Sequence, residues 1–135
     1  MLREAAERYV FGVNTTMENE ILSIDGGFVQ RLASVNWRLK SHIPTSEYFN
    51  GIPTPKTVVF VDASPELCLQ RQDERGGRIV DKSWTKNDFS AQEKFSQSCK
   101  KVSEDLEQSG TKVINIDGGN NLGENISKII NALGI

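Results

Sequence analysis

Apolar residues recur every three or four positions in several stretches of the chain, the spacing that places them on one face of an α-helix. Phe28, Leu32, Val35 and Leu39 follow this period and predict a helix over about 27–40. The same period, or a capping residue and a terminal glycine, predicts further helices over about 2–11, 65–75, 90–109 and 121–133.

Three short apolar runs lie between these helices and predict β-strands. "TVVFVDAS" at 57–64 is the clearest, because it is rich in β-branched residues and nearly continuous in apolar side chains, as expected of a strand covered on both faces. The other two are "ILSI" at 21–24 and "KVINID" at 112–117. Strands separated by helices predict parallel pairing. The predicted fold class is α/β, a three-layer, mostly parallel sheet with helices on both faces.

Helix starts and loops follow from capping residues and prolines. Ser64 before Pro65 predicts a helix start, and Ser90 with Glu93 has the pattern of a capping box. Residues 41–56 contain three prolines and predict a long irregular loop.

Each predicted strand ends at or beside an aspartate: "DGG" at 25–27, "DAS" at 62–64 and "DGGN" at 117–120. In open parallel sheets, ligands bind beyond the carboxyl ends of the strands. The sequence therefore predicts a ligand site at these three turns. For Asp25, a metal-side role and a simple Asp-Gly turn remain alternatives.

Length and charge restrict the class of protein. The 135 residues predict one domain over 1–135, and a net charge of −2 does not favour nucleic acid as a partner. No run of about 18 apolar residues occurs, so we expect no membrane span and a cytoplasmic protein. Cys68 and Cys99 occupy apolar helix positions and are interpreted as core thiols rather than a disulfide.

Three segments have the order and spacing of a known family. They are "IDGGFVQR" at 24–31, "VVFVDASPELCLQRQDERGGR" at 58–78 and "VINIDGGNNLGENISKIINAL" at 113–133. Together they resemble the C-terminal two thirds of a P-loop nucleoside or nucleotide kinase of the adenylate-kinase-like group. The resemblance covers roughly residues 20–133 and implies a P-loop NTPase-like sheet that lacks its first strand.

The resemblance implies catalytic roles for four arginines. Arg31 would contact the acceptor, Arg71 would pack against the adenine face, and Arg75 and Arg78 would meet the transferring phosphates. Planar guanidinium groups suit both stacking and bidentate phosphate contacts. The alternative is that Arg71 and Arg75 form one solvated helix face, since they lie four residues apart, but Arg78 and the loop that follow favour phosphate or base contact.

The resemblance also implies ATP and Mg²⁺ as cofactors. Asp25 would reach Mg²⁺ through water, and the backbone of the glycine turn after the last strand would line the adenine. The turn residues are Gly118, Gly119 and Asn120.

The glycine-rich phosphate loop of this family is missing from the chain. No G-x-x-x-x-G-K-[ST] motif occurs, and none of the three glycine pairs leads to Lys-Ser or Lys-Thr. Losing three or four charge-assisted hydrogen bonds to phosphate costs about 5 kcal/mol, or more than about a thousandfold in affinity. We therefore expect weak nucleoside triphosphate binding and no efficient turnover by this chain alone.

Two functional hypotheses follow. The chain is the C-terminal part of an ATP-dependent kinase-like phosphotransferase acting on a nucleotide or other small-molecule acceptor. Alternatively, it is a non-catalytic nucleotide-binding or protein-interaction domain on a decayed kinase scaffold. A phosphate-loop motif encoded in frame upstream of Met1 would favour the first.

Two further expectations concern mobility and assembly. Residues 76–89 are predicted to form a lid-like loop, because Gly76-Gly77 precedes a polar stretch without a period. In the family, the missing strand lies between the strands that correspond to 21–24 and 57–63. Both would then have an unpaired edge, so we expect a homo-oligomer or a partner chain that supplies the missing strand.

Overall fold

The computed structural model describes residues 2–18, 20–24, 27–39, 42–75 and 85–135. Asp25, Arg78 and most of the predicted lid-like loop lie outside these ranges. The described part is mixed helix and strand. Its helices are α1 Leu2–Thr15, α2 Phe28–Leu39, α3 Thr45–Tyr48, α4 Pro65–Glu74, α5 Lys86–Gln108 and α6 Leu122–Leu133, and its strands are β1 Thr57–Asp62 and β2 Lys112–Asp117.

The two strands pair in parallel, as predicted, in a register that runs from Thr57 beside Lys112 to Asp62 beside Asp117. The chain between them forms α4 and α5. Because parallel strands end at the same edge of a sheet, this register brings the "DAS" and "DGGN" turns together.

Local capping explains where α4 and α6 begin. The Leu67 N–H donates to Ser64 Oγ at 3.2 Å, directly before Pro65, as the sequence predicted. At α6, the Gly123 N–H donates to Asn121 Oδ1 at 2.7 Å. These caps satisfy backbone donors that a helix leaves without intrahelical partners.

The predicted start of α5 was wrong. The helix begins at Lys86, and its capping box is formed by Thr85 and Asp88 rather than by Ser90 and Glu93. The Thr85 N–H donates to Asp88 Oδ2 at 2.7 Å, and the Asp88 N–H donates back to Thr85 Oγ1 at 3.3 Å. Thr-x-x-Asp supplies the same reciprocal bonds as Ser-x-x-Glu, so the helix starts one turn earlier and shortens the predicted loop.

The predicted strand at 21–24 was also wrong. These residues form no strand, and Ile21 and Leu22 expose 59% and 37% of their surface. Leu22 lies against α1, because a Cβ added at Gly12 would stand 2.5 Å from Leu22 Cδ1. Gly12 therefore provides room for this contact, and α1 continues to Thr15 instead of ending at Gly12. A four-residue apolar run is too short for its hydrophobic periodicity to distinguish a strand from a loop.

The predicted loop over 41–56 contains a short helix, α3, that begins directly after Pro44. Thr45 and Phe49 in this segment are buried. The three prolines therefore correctly predicted that this segment contains no long helix or strand. They did not predict α3, a single turn of helix that packs against α5.

The apolar core lies where α2, α3 and α5 meet. It consists of Leu32, Ala33, Phe49, Val102 and Leu106, all at most 9% exposed. Ring contacts extend this packing at both ends of α2, with Tyr9 and Phe28 centroids 5.9 Å apart and Trp37 and Phe95 centroids 5.7 Å apart.

The two cysteines are free thiols, as the sequence indicated. Cys99 packs against the core cluster, and burial raises the pKa of its thiol to about 11. A thiol with so high a pKa holds little thiolate at neutral pH and is a poor nucleophile.

The sheet is not covered equally on its two faces, contrary to the expectation for β1. Ile114 and Ile116 on β2 are buried on the face opposite Val58, whose side chain packs against the core cluster, and α6 packs against the same strand. Val59 and Val61 lie beside them in register, on the same face, yet remain 40% and 53% exposed. Helix α6 therefore covers β2 and leaves β1 open on this face.

Candidate functional site

A tight turn directly after β2 forms the centre of the candidate site. The Gly118 N–H donates to the Asp62 carbonyl oxygen, which joins the turn to the end of β1. A Cβ added at Gly118 would lie 2.9 Å from Ala63 Cβ and 3.0 Å from the Asp62 carbonyl oxygen. The two chain segments are so close that only glycine fits without a backbone shift.

Side chains of Asp117 and Asn125 hold this turn in shape. Asp117 Oδ1 accepts the Gly119 N–H at 2.7 Å, and the Asn120 N–H donates to the Asp117 carbonyl oxygen at 3.2 Å. The buried Asn125 of α6 donates its side-chain N–H to the same carbonyl oxygen at 2.7 Å. The Asp117 carboxylate is thus partly used for the turn itself.

Arg71 joins α4 to the same turn. Its Nη2 donates to the Gly118 carbonyl oxygen at 2.7 Å, across 47 positions of sequence. The sequence predicted both residues on the nucleoside side of a ligand, and the fold places them in direct contact. The bond also fixes one end of the Arg71 guanidinium beside the exposed residues Gly119 and Asn120.

A cavity of about 600 Å³ opens at the carboxyl ends of the strands, between the sheet and the first half of α5. Its floor is formed by the ends of β1 and β2 and by the start of α4, and one wall belongs to α5. The lining residues are Asp62, Ala63, Ser64, Pro65, Glu93, Ser96, Gln97, Asn115, Ile116 and Asp117.

The cavity lining is acidic. Among the described residues, the lining contains the carboxylates of Asp62, Glu93 and Asp117, and no lysine, arginine or histidine. Beside it, the backbone N–H of Glu66 and the Ser64 hydroxyl hold the pKa of the Glu66 carboxyl below its usual range, so this exposed group is also ionised at neutral pH. A free triphosphate would be repelled by these charges, whereas an uncharged nucleoside or a cation would not.

The implied cofactors fit the described residues only in part. The Gly118 turn and Arg71 offer backbone polar groups and a planar cation, which suit a base or ribose. Within the described ranges, no group of three or more His, Cys, Asp or Glu side chains is placed to hold a metal ion. Asp25, the residue implied for Mg²⁺, and Arg78 lie outside those ranges.

None of the described site residues that the resemblance implied is among the residues lining this cavity, and that includes Arg31 and Arg75. Arg31 is on α2, where its positive charge acts on Tyr48 and partly opposes the burial that raises the pKa of that hydroxyl. Arg75 caps the C-terminus of α4, is exposed, and donates its backbone N–H to the Arg71 carbonyl oxygen at 3.2 Å. Their catalytic roles stay predictions.

The α5 wall of the cavity and the role of Asn125 were not predicted from the sequence. Glu93, Ser96 and Gln97 follow the i, i+3, i+4 spacing of one helical face. This polar stripe beside the apolar stripe of α5 could therefore have been recognised in the sequence. Nothing in the sequence pattern identified Asn125 as a residue that supports the turn across eight positions.

A second, smaller cavity of about 210 Å³ lies at the other end of α5, beside His42 and Asp105. Asp105 accepts the hydroxyl of the buried Thr45 at 2.8 Å and pairs with Lys101 at 2.8 Å. Its carboxylate therefore ties α3 to α5, which is a structural role rather than a binding one.

No helix in the described part of the chain combines the length and the apolar character needed to cross a bilayer. Comparison with other proteins adds no identification: no protein-family model, no curated protein and no solved structure matches this chain.

Proposed function

We propose that this chain binds the nucleoside part of a nucleotide at the Gly118 turn, as the C-terminal part of a kinase-like phosphotransferase. The observation that carries the proposal is the 2.7 Å hydrogen bond from Arg71 Nη2 to the Gly118 carbonyl oxygen. Two segments 47 residues apart, each implied by resemblance to contact the base, meet at the carboxyl end of a parallel sheet. This edge is where open α/β sheets bind ligands.

Under this proposal, the parallel pair β1–β2 is the later half of a larger, P-loop NTPase-like sheet. Arg71 lies over one face of the base, and the backbone of Gly119 and Asn120 reads its edge. The phosphates lie between the acidic cavity and Arg75, and their charge is neutralised by Mg²⁺ and by a phosphate loop that this chain does not contain. The chain alone then binds weakly and transfers no phosphate.

The acidic cavity gives the proposal a distinctive consequence. An uncharged nucleoside should bind at least as tightly as its free triphosphate, because Asp62 and Glu93 repel phosphate and no phosphate loop compensates for them. Millimolar Mg²⁺ should reduce the difference in affinity between nucleoside and triphosphate, because it neutralises part of the triphosphate charge. The opposite order holds for enzymes that derive most of their affinity from a phosphate loop.

Titration of adenosine, free ATP and MgATP into the intact chain, followed by NMR chemical shifts, tests this order. We expect shifts at Gly118, Gly119 and Asn120 with all three ligands. Guanosine and thymidine, used in parallel, identify the preferred base. Affinity for free ATP that greatly exceeds affinity for adenosine, or shifts confined to other surfaces, would contradict the proposal.

Arg71→Ala should weaken adenosine binding about tenfold or more, since it removes the guanidinium beside the base. Because Arg71 is exposed, the melting temperature should change little. Arg38→Ala removes another exposed arginine, on α2, and serves as the matched control. If Arg71→Ala leaves the affinity unchanged but strongly lowers the melting temperature, Arg71 is only a structural link between α4 and the turn.

A further inference from the structure

The outer edge of β1 has no neighbouring strand in the part of the chain that the structure describes. Among the described residues the sheet contains β1 and β2 alone, so β1 pairs with a strand of the described chain on one side only. Val59 and Val61 are 40% and 53% exposed on this strand. An apolar strand with a free edge is a template for pairing with another strand.

Existing hydrogen bonds show which backbone groups point outward. The Lys112 N–H donates to the Lys56 carbonyl oxygen at 3.2 Å, and the Gly118 N–H donates to the Asp62 carbonyl oxygen. Even-numbered residues of this strand therefore direct their backbone groups toward β2. Because direction alternates along a strand, the odd-numbered residues face the free edge. These are Thr57, Val59 and Val61.

We propose that this edge pairs antiparallel with β1 of a second copy of the chain, around a two-fold axis at Val59. In this arrangement Val59 lies opposite itself, and Thr57 lies opposite Val61 of the second copy. Every outward-facing residue is then a member of a hydrogen-bonded pair across the interface. In each pair, both residues donate their backbone N–H to the carbonyl oxygen of the other. A closed two-fold contact of this kind uses the same surface on both copies.

Charge complementarity selects the second copy as occupant and fixes this register. The same pairing places Lys56 opposite Asp62 of the second copy, once on each side of the axis. Both residues are exposed, and such opposed positions bring Cβ atoms to about 4.5–5.5 Å. A strand with a cation before its start and an anion at its end is complementary to itself only when the two copies run antiparallel.

Antiparallel pairings of β1 that are shifted by two residues in either direction are less favourable. A shift of two positions toward the N-terminus pairs Val61 with Pro55, which has no N–H to donate. A shift of two positions the other way places Asp62 opposite Val58 and leaves both charges without partners. The Val59-centred register also joins the exposed valines of both copies into one apolar strip, on the face that α6 leaves open.

The larger sheet of the proposed function would place a strand at this same edge, and Asp62 also lines the acidic cavity, so the two proposals are separated by a test that needs no ligand. Sedimentation velocity of the intact chain across about 1–100 µM should show a monomer–dimer equilibrium. Lys56→Glu and Asp62→Lys should each raise the dimer dissociation constant about tenfold or more, because each places like charges opposite one another twice per dimer. The double variant Lys56→Glu/Asp62→Lys restores opposite charges and should return dissociation to within a few-fold of the original value.

Lys100→Glu, on the exposed side of α5, makes the same charge change away from β1 and should leave the equilibrium unaltered. Hydrogen exchange of the unmodified chain gives a second measurement that requires no variant. The amides of Thr57, Val59 and Val61 should become more protected as protein concentration rises, while the Leu122 amide should not change.

A chain that stays monomeric over this range overturns the proposal, including one that stays monomeric but binds a separate strand peptide. A dimer that responds to none of the β1 variants also overturns it, since its interface must then lie elsewhere. Weakening by both single variants without recovery in the double variant contradicts the antiparallel register.

Discussion

Leu32, Val102 and Leu106 expose at most 1% of their surface, whereas Asp62, Gly119 and Asn120 at the strand ends are open to solvent. The first region is an apolar contact among three helices. The second is a set of turns held by backbone and side-chain hydrogen bonds, with an acidic cavity beside it. Burial therefore stabilises one region, and polar geometry defines the other.

Helix α5 belongs to both regions. Its C-terminal half supplies Val102 and Leu106 to the core cluster, and its N-terminal half supplies Glu93 and Gln97 to the cavity wall. The division teaches that stability and recognition are separable along one helix. Changes in the C-terminal half should alter folding, and changes near the strand ends should alter shape and binding at lower energetic cost.

Among the changes considered, Leu106→Ala should lower the stability of the protein most, because it opens a cavity at a fully buried position. We expect a loss of about 2–5 kcal/mol in the free energy of unfolding. Leu122→Ala makes the same chemical change at a residue that is 74% exposed, and it should alter stability by less than about 0.5 kcal/mol. Urea denaturation followed by circular dichroism measures both. Equal losses in the two variants would show that α2–α3–α5 packing is not the main source of stability.

Gly118→Ala should have an intermediate effect and one that is local to the strand ends. The added methyl group would lie 2.9 Å from Ala63 Cβ and 3.0 Å from the Asp62 carbonyl oxygen, so backbone must move. We expect a loss of about 1–3 kcal/mol, together with NMR shift changes in the turn.

Gly51→Ala is the matched control, because an added Cβ at Gly51 has no atom within 4 Å and should be tolerated. A Gly118→Ala variant as stable as this control, with unchanged turn resonances, would show that β1 and the turn are less closely joined than the hydrogen bond from the Gly118 N–H indicates.

The sequence was sufficient for the elements whose signals are local. The β-branched run at β1, the Ser64-Pro65 cap and the glycine at the end of α6 each predict structure through contacts a few residues apart. Gly134 adopts φ +74° as a left-handed C-cap, as expected of glycine there. The predicted start of α5 was wrong because two capping patterns, Thr85 with Asp88 and Ser90 with Glu93, lie within one turn of each other, and the sequence does not rank them.

The candidate site was predictable where it follows from topology. Parallel pairing of the two strands necessarily brings Asp62 beside Asp117, and it brings α4 near the Gly118 turn. Coverage of the sheet was not predictable, because whether α6 spans both strands depends on crossing angle and not on its apolar pattern. The segment at 21–24 resembled a strand in sequence but forms none in the structure, because so short a run does not by itself separate a strand from a loop.

Asp105→Asn should have the smallest effect on stability, and this effect should depend on pH. The hydrogen bond from Lys101, aided by the Thr45 hydroxyl, holds the pKa of the Asp105 carboxyl below its usual range. A carboxyl with a lowered folded-state pKa stabilises the protein at neutral pH, and this contribution is lost as pH falls through the folded pKa. Asparagine keeps an oxygen for Thr45 but cannot titrate. We therefore expect a loss of about 0.5–1 kcal/mol at pH 7 that begins to shrink as pH falls below about 4, the unfolded-state pKa, and that disappears below the folded-state pKa. Glu104→Gln removes a carboxylate at the exposed neighbouring position and serves as the control for the charge change alone. Denaturation midpoints at pH 3, 5 and 7 provide the measurement. A difference between the original chain and Asp105→Asn that stays constant with pH would mean that the α3–α5 link does not depend on the charge of Asp105.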